Sequence, residues 1–142
     1  MVESNIWVWT ARETSQLQTE EVGAPGPGQV LIKTRYSGVS PGTEMALYMM
    51  THVGFADPEN HYAEYPHRGG YLNVGIIEEA GADVAADWPA GTWVFSGATH
   101  RQYALVEPGG PWGCHRLSDD LHNPEACFIG LMKVGYTAPY LA

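Results

Sequence analysis

Apolar residues along this chain come in short runs, and most of the runs read as strands. Residues 6–10 (IWVWT) form a β-type run and residues 17–22 a second. A Pro/Gly turn at residues 24–28 (APGPG) cannot lie inside a helix. Beyond it, residues 29–38 (QVLIKTRYSG) alternate in part, with Val30, Ile32 and Thr34 to one side and Lys33 and Arg35 to the other. Residues 71–80 (YLNVGIIEEA) predict another strand, in which Gly75 marks a bulge or a close backbone approach. Residues 92–95 and 103–106 predict two more, and residues 112–117 a weaker one, with turns at 40–43 and 108–111. Helical spacing is confined to two places. Residues 43–50 (TEMALYMM) suit a short helix with Thr43 as N-cap and Glu44 in the first turn. Asn123-Pro124-Glu125 suits a cap followed by proline at the first helical position. The stretch that follows, 126–142, is apolar nearly all round and so expects protein on several sides. It is expected to be a linker helix toward a second domain, giving a division into 1–122 and 123–142. Residues 51–70 make the longest irregular segment, and segments of that length usually serve a function.

Composition narrows the classes. The 142 residues suit one domain, and 44% hydrophobic against 16% charged residues is too apolar for a disordered chain. Sixteen acids against seven Lys and Arg give a formal charge of −9, which repels phosphate backbones and anionic bilayers; neither nucleic acid nor membrane is an expected partner. No apolar run approaches the roughly 20 residues that span a bilayer. The N-terminus lacks a leader-like basic and apolar pattern. Two cysteines, Cys114 and Cys127, do not make a disulfide framework, so a reducing, cytoplasmic setting is expected.

The order of motifs carries a resemblance. Pro25-Gly26-Pro27-Gly28-Gln29-Val30-Leu31-Ile32-Lys33 and Tyr36-Ser37-Gly38-Val39-Ser40 resemble the opening of the medium-chain dehydrogenases/reductases. The Gly69–Gly81 stretch, Pro89–Val94, Tyr103–Val106 and the apolar segment after Pro124 follow in the family's order. The resemblance implies a mainly β fold, the GroES-like twisted and partly open barrel that shapes the substrate pocket, with the linker helix after it. It also exposes departures. Where zinc-dependent members carry a cysteine, this chain has Ser40; where they carry Gly-His-Glu it has Gly70-Tyr71-Leu72; the last ligand position falls near Leu131. Such a set suits a zinc-free branch, because catalytic zinc takes about three Cys, His or carboxylate ligands. The four-cysteine structural-zinc lobe is absent as well. The family binds NAD(P) on a Rossmann domain through a Gly-x-Gly-x-x-Gly turn. No such motif occurs here, so the chain alone is expected to bind no cofactor, and NAD(P) only when joined to a Rossmann partner.

The resemblance places Ser40, Thr43 and Tyr71 around the vacated metal position, with Tyr71 as proton donor or as a simple space-filler. Glu44 is the candidate general base if burial raises its pKa; the plainer reading is a carboxylate at a helix start. Arg68 could fork onto a substrate carboxylate or phosphate, or form a surface ion pair. His67 and His100 are further candidate substrate contacts. The spacing of His52, His61 and His67 fits no standard metal pattern, and both cysteines read as buried, unreactive thiols. Three functions remain open on the sequence alone. The first is the substrate domain of a zinc-free NAD(P)-dependent oxidoreductase acting on a carbonyl, an alcohol or an activated alkene. The second is a standalone domain with cofactor-free acid/base catalysis, as in an isomerase, lyase or cyclase. The third is a binding or assembly module without chemistry, which docks on a partner or pairs with itself through residues 126–142.

Overall fold

The strand-like runs all become strands. The computed structural model describes residues 1–109 and 112–131. In it β1 (Val2–Ala11) and β2 (Thr14–Val22) form a two-stranded sheet. Strands β3 (Val30–Gly38), β4 (Leu72–Ala80), β5 (Trp93–Ser96), β6 (Tyr103–Val106) and β7 (Cys114–Arg116) form a second sheet in the order β6-β3-β4-β5-β7. Every pairing is antiparallel. Both sheets are open, so the mainly β fold holds, without barrel closure.

The β1–β2 hairpin runs beyond its apolar runs at both strands. The added β2 positions, Thr14, Ser15 and Gln16, are polar and largely exposed, and the ladder that holds them is main chain, which leaves no hydrophobic signature. Two isolated bridges, Ile6 with Arg101 and Trp9 with His67, join the hairpin to the rest of the molecule. Trp9 and His67 exchange main-chain hydrogen bonds of 2.9 and 2.8 Å there.

Alternation sends neighbouring side chains to opposite faces of the larger sheet. Val30, Ile32, Ile77, Val94 and Cys114 fill one core. Leu72, Val74 and Phe95 turn the other way, onto Ala126 and Cys127. Full burial of a Val or Ile contributes roughly 1.5–3 kcal/mol each, so the sheet is held from both sides. Gly75 is the expected close approach: a Cβ there would fall 2.6 Å from the Lys33 carbonyl oxygen.

Two helical expectations need correction. The first helix, α1, spans Thr43–Tyr48, and its N-cap is Gly42, without a side-chain cap bond; Thr43 is the first helical residue. It ends early because Met50 takes a left-handed φ of 58°. The second segment is a 3₁₀ helix over Pro124–Leu131 rather than an α-helix. Asn123 Oδ1 accepts from the Glu125 amide at 2.9 Å, as its capping role requires. The segment lies so close on the sheet that a Cβ on Gly130 would fall 2.8 Å from the Phe95 ring. The rest of the expected linker helix, 132–142, lies outside the described residues, as do positions 110 and 111 of the expected turn.

Residues 51–70 contain one short 3₁₀ helix, Val53–Ala56, and are otherwise irregular. Trp9, Leu47 and Ala63 form a third small core, with Tyr48, Phe55 and Tyr65 against it. Polar side chains replace regular pairing here. His52 Nδ1 accepts from the Gly54 amide, and Asn60 Oδ1 accepts from the amides of Tyr62 and Ala63.

Candidate functional site

Between α1 and the 61–71 segment lies a cleft of about 530 Å³. Glu44 and Leu47 supply one wall, Tyr62, Glu64, His67, Arg68 and Tyr71 another, and Thr99 and Trp112 close it. Glu44, His67, Arg68 and Tyr71, which were singled out for chemistry in the sequence, are thus brought together. Ser40 and Thr43 are not among the walls. The Ser40 carbonyl is spent on the Glu44 amide at 3.1 Å, in the turn that launches α1.

His100 stands behind Glu44 and ties it to β3. Its Nε2 meets Glu44 Oε2 at 3.1 Å, and its Nδ1 makes a short hydrogen bond with Ser37 Oγ. A carboxylate only accepts, so Nε2–H is the donor. With a neutral ring, the Ser37 hydroxyl then donates to Nδ1; with a charged ring, Nδ1–H donates to Ser37. The Glu44 side chain is 2% exposed and the His100 side chain 13%. Glu44 Oε1 is buried and has no hydrogen-bond partner. This three-residue line was not apparent in the sequence. Its members lie 56 and 63 positions apart, and a polar contact across that distance leaves no local pattern.

Electrostatics in the cleft follow burial. Desolvation, then the nearby Tyr71 and Glu44, push the Tyr62 phenol above its ordinary range. Desolvation lowers the His67 pKa against opposing contributions from Glu44 and Glu64, which favours a neutral ring. That ring stacks on Trp9 with centroids 5.4 Å apart. Arg68 is ion-paired with Glu20 Oε2 at 3.3 Å, and Arg101 holds Glu20 Oε1 at 2.8 Å. Burial lowers the Arg101 pKa. Outside the cleft, burial pushes the Cys114 thiol up to about 11 and raises Cys127.

The donor set does not fit a catalytic zinc. Leu72, at the position of a family ligand, is 2% exposed in the apolar core and offers no donor atom. Ser40 and Tyr71 are oxygen donors of the wrong class at neutral pH. Among the described residues no three His, Cys, Asp or Glu side chains converge in a way that could hold a metal ion.

No protein-family model matches the sequence. A search of curated proteins finds no match either. Solved structures do match in fold. An Escherichia coli oxidoreductase/dehydrogenase of unknown specificity superposes with a TM-score of 0.75 at 17% identity, over 99% of this chain and 47% of that one. The 2R,3R-butanediol dehydrogenase of Bacillus subtilis gives 0.69 at 17% identity, over 89% and 44%. An E. coli protein described as a short chain alcohol dehydrogenase and solved with NADH gives 0.69 at 14%, over 89% and 42%. The chain therefore shares its mainly β fold with the part of these dehydrogenases that it covers. It spans less than half the length of these relatives in structure. No helix among the described residues is long and apolar enough to cross a membrane.

Proposed function

We propose that this chain is the substrate-binding domain of an NAD(P)-dependent oxidoreductase that works without zinc, with the nicotinamide held by a domain outside the described residues. Its substrate is a carbonyl compound or alcohol, or an activated alkene. The observation that carries the reading is that Tyr71 and a buried Glu44 line the same cleft on a fold shared with dehydrogenases. When bound, the nicotinamide supplies or accepts the hydride. The Tyr71 hydroxyl donates to the substrate oxygen as charge develops there, and one well-aimed donor is worth about 3–4 kcal/mol. Glu44 holds or takes up the accompanying proton, and His100 fixes its carboxylate. Neutral His67 and Arg68 contact the remainder of the substrate.

The test is NADH- and NADPH-dependent reduction of ketones and enones by the protein together with its nicotinamide-binding domain. Turnover survives a metal chelator and falls about a hundredfold or more in Tyr71→Phe. Loss on chelation with recovery on adding zinc rejects the zinc-free mechanism. An unaffected Tyr71→Phe rejects the role of Tyr71. The Ser37–His100–Glu44 line favours one second reading, acid/base catalysis without a cofactor. Turnover by the 142-residue chain in the absence of NAD(P), lost in Glu44→Gln, would favour it over the first.

A further inference from the structure

One edge of the fold carries main-chain groups that no described residue pairs. In β1 the Trp7 amide donates to the His100 carbonyl, Trp9 exchanges both main-chain bonds with His67, and the Asn5 carbonyl accepts from the Gln102 amide. These three residues therefore aim their main-chain groups away from β2. Their partners across the hairpin are Leu17, Ser15 and Thr19. In an antiparallel ladder both residues of such a pair point outward. Ser15, Leu17 and Thr19, and by alternation Glu21, thus present N–H and C=O along the free edge of β2. Among the described residues no main-chain bond meets them there. The edge is open to solvent, since Thr14, residues 16–19 and Glu21 are all exposed. Strand edges are commonly guarded by lysine, proline or a bulge. Strand β2 has no lysine or proline, and the register shift of the hairpin lies between Trp9 and Ala11, at its turn. Leu17 is 61% exposed beside Trp7 at 41%, an apolar step on an otherwise polar strand.

We propose that β2 pairs antiparallel with β2 of a second copy of this chain, about a twofold axis at Gln18, so that the two hairpins form one continuous sheet. That register sets Ser15 opposite Glu21 of the copy and Leu17 opposite its Thr19, and it is the one that pairs every outward residue. Each such pair exchanges both main-chain bonds. The charges agree with it. Glu20 and Glu21 lie at one end of the strand, and the reversed copy meets them with Gln16 and Ser15; a parallel copy would set acid beside acid. Leu17 lies diagonal to its counterpart, so the Trp7–Leu17 pairs of the two copies join into one apolar strip. An outside peptide finds no charge pattern to read along residues 14–19, whereas a second copy matches the edge in length and leaves no acid facing acid. Sedimentation velocity over about 1 µM to 1 mM shows a monomer–dimer equilibrium. It is run on the 142-residue chain in salt that screens the repulsion between copies of charge −9. Hydrogen exchange locates the contact: the Leu17 and Thr19 amides gain protection as concentration rises, while those of Gln16 and Gln18, already bonded to β1, do not change. Ser15→Lys faces Glu21 of the copy at both ends of the pairing and tightens association about two- to thirtyfold; Ser15→Glu weakens it by a similar factor. Leu17→Pro leaves the β1–β2 ladder intact, because that N–H faces outward, and abolishes the dimer. Its thermal melt checks the fold, and if it melts low the two Ser15 variants decide. A chain monomeric throughout, a dimer indifferent to these substitutions, or edge protection conferred by an added extended peptide and not by a second copy overturns the proposal.

Discussion

Replacing His100 by alanine tests how the site is held together. The main-chain bonds of residue 100, from its amide to Gly69 and from Trp7 to its carbonyl, survive the substitution. The ring and its two hydrogen bonds do not. Glu44 then sits 2% exposed with neither carboxylate oxygen partnered, because Oε1 had no partner to begin with. Removing the hydrogen-bond partner of a buried carboxylate costs about 3 kcal/mol, mostly as the desolvation of the unpaired group left behind. Against a whole-domain stability of roughly 5–15 kcal/mol, that is a large fraction. At about 2–4 °C per kcal/mol for a domain of this size, Tm falls by about 6–12 °C. Urea unfolding followed by tryptophan fluorescence measures the loss. Glu44→Gln in the His100→Ala background removes the stranded charge, so the double variant is more stable than the sum of the two single losses by about 1–3 kcal/mol. A His100→Ala loss below about 1 kcal/mol, or strict additivity in the cycle, refutes the coupling described for this pair.

Gly75→Ala sets a methyl group 2.6 Å from the Lys33 carbonyl, and it destabilises the protein by about 1–3 kcal/mol in denaturant unfolding. His67 has a folded pKa below its unfolded value of about 6.5. The unfolded chain therefore binds the extra proton first, and stability drops as pH falls from about 7 through that value, levelling once the folded ring also titrates. A His67→Gln variant shows a shallower acid slope in urea midpoints measured across that window. Cys114 and Cys127 are buried with raised pKa values, so a thiol reagent at pH near 8 labels neither quickly in the native state and both after unfolding.

Strand positions were readable from the chain because apolar alternation and Gly/Pro punctuation are local signals. Ile32, Ile77 and Val94 announce their core face in this way. The ends were not readable where the main chain decides. The polar outer rows of β2 pair through backbone groups, and Thr43 lost its capping position to Gly42 because the turn after Ser40 enters the helix one residue earlier. The close approach of Gly130 and Cys127 to Leu72, Phe95 and Gly38 is a tertiary contact and leaves no local pattern in the sequence. In the site, residue types suggested Glu44, Tyr71, His67 and Arg68 one at a time, and the fold set them around one cleft. The contact between Glu44 and His100, and the part of Ser37, required the fold itself.

The bridge between Trp9 and His67 has a mechanical consequence. The 61–71 wall of the cleft owes its register to a strand of the β1–β2 hairpin, through those main-chain bonds and through Glu20, which clasps Arg68 and Arg101 together. Hairpin and wall should therefore open as a single cooperative unit, with amides at Trp9 and His67 exchanging with solvent at matched rates. Loosening the hairpin far from the cleft would then slacken the grip on any occupant.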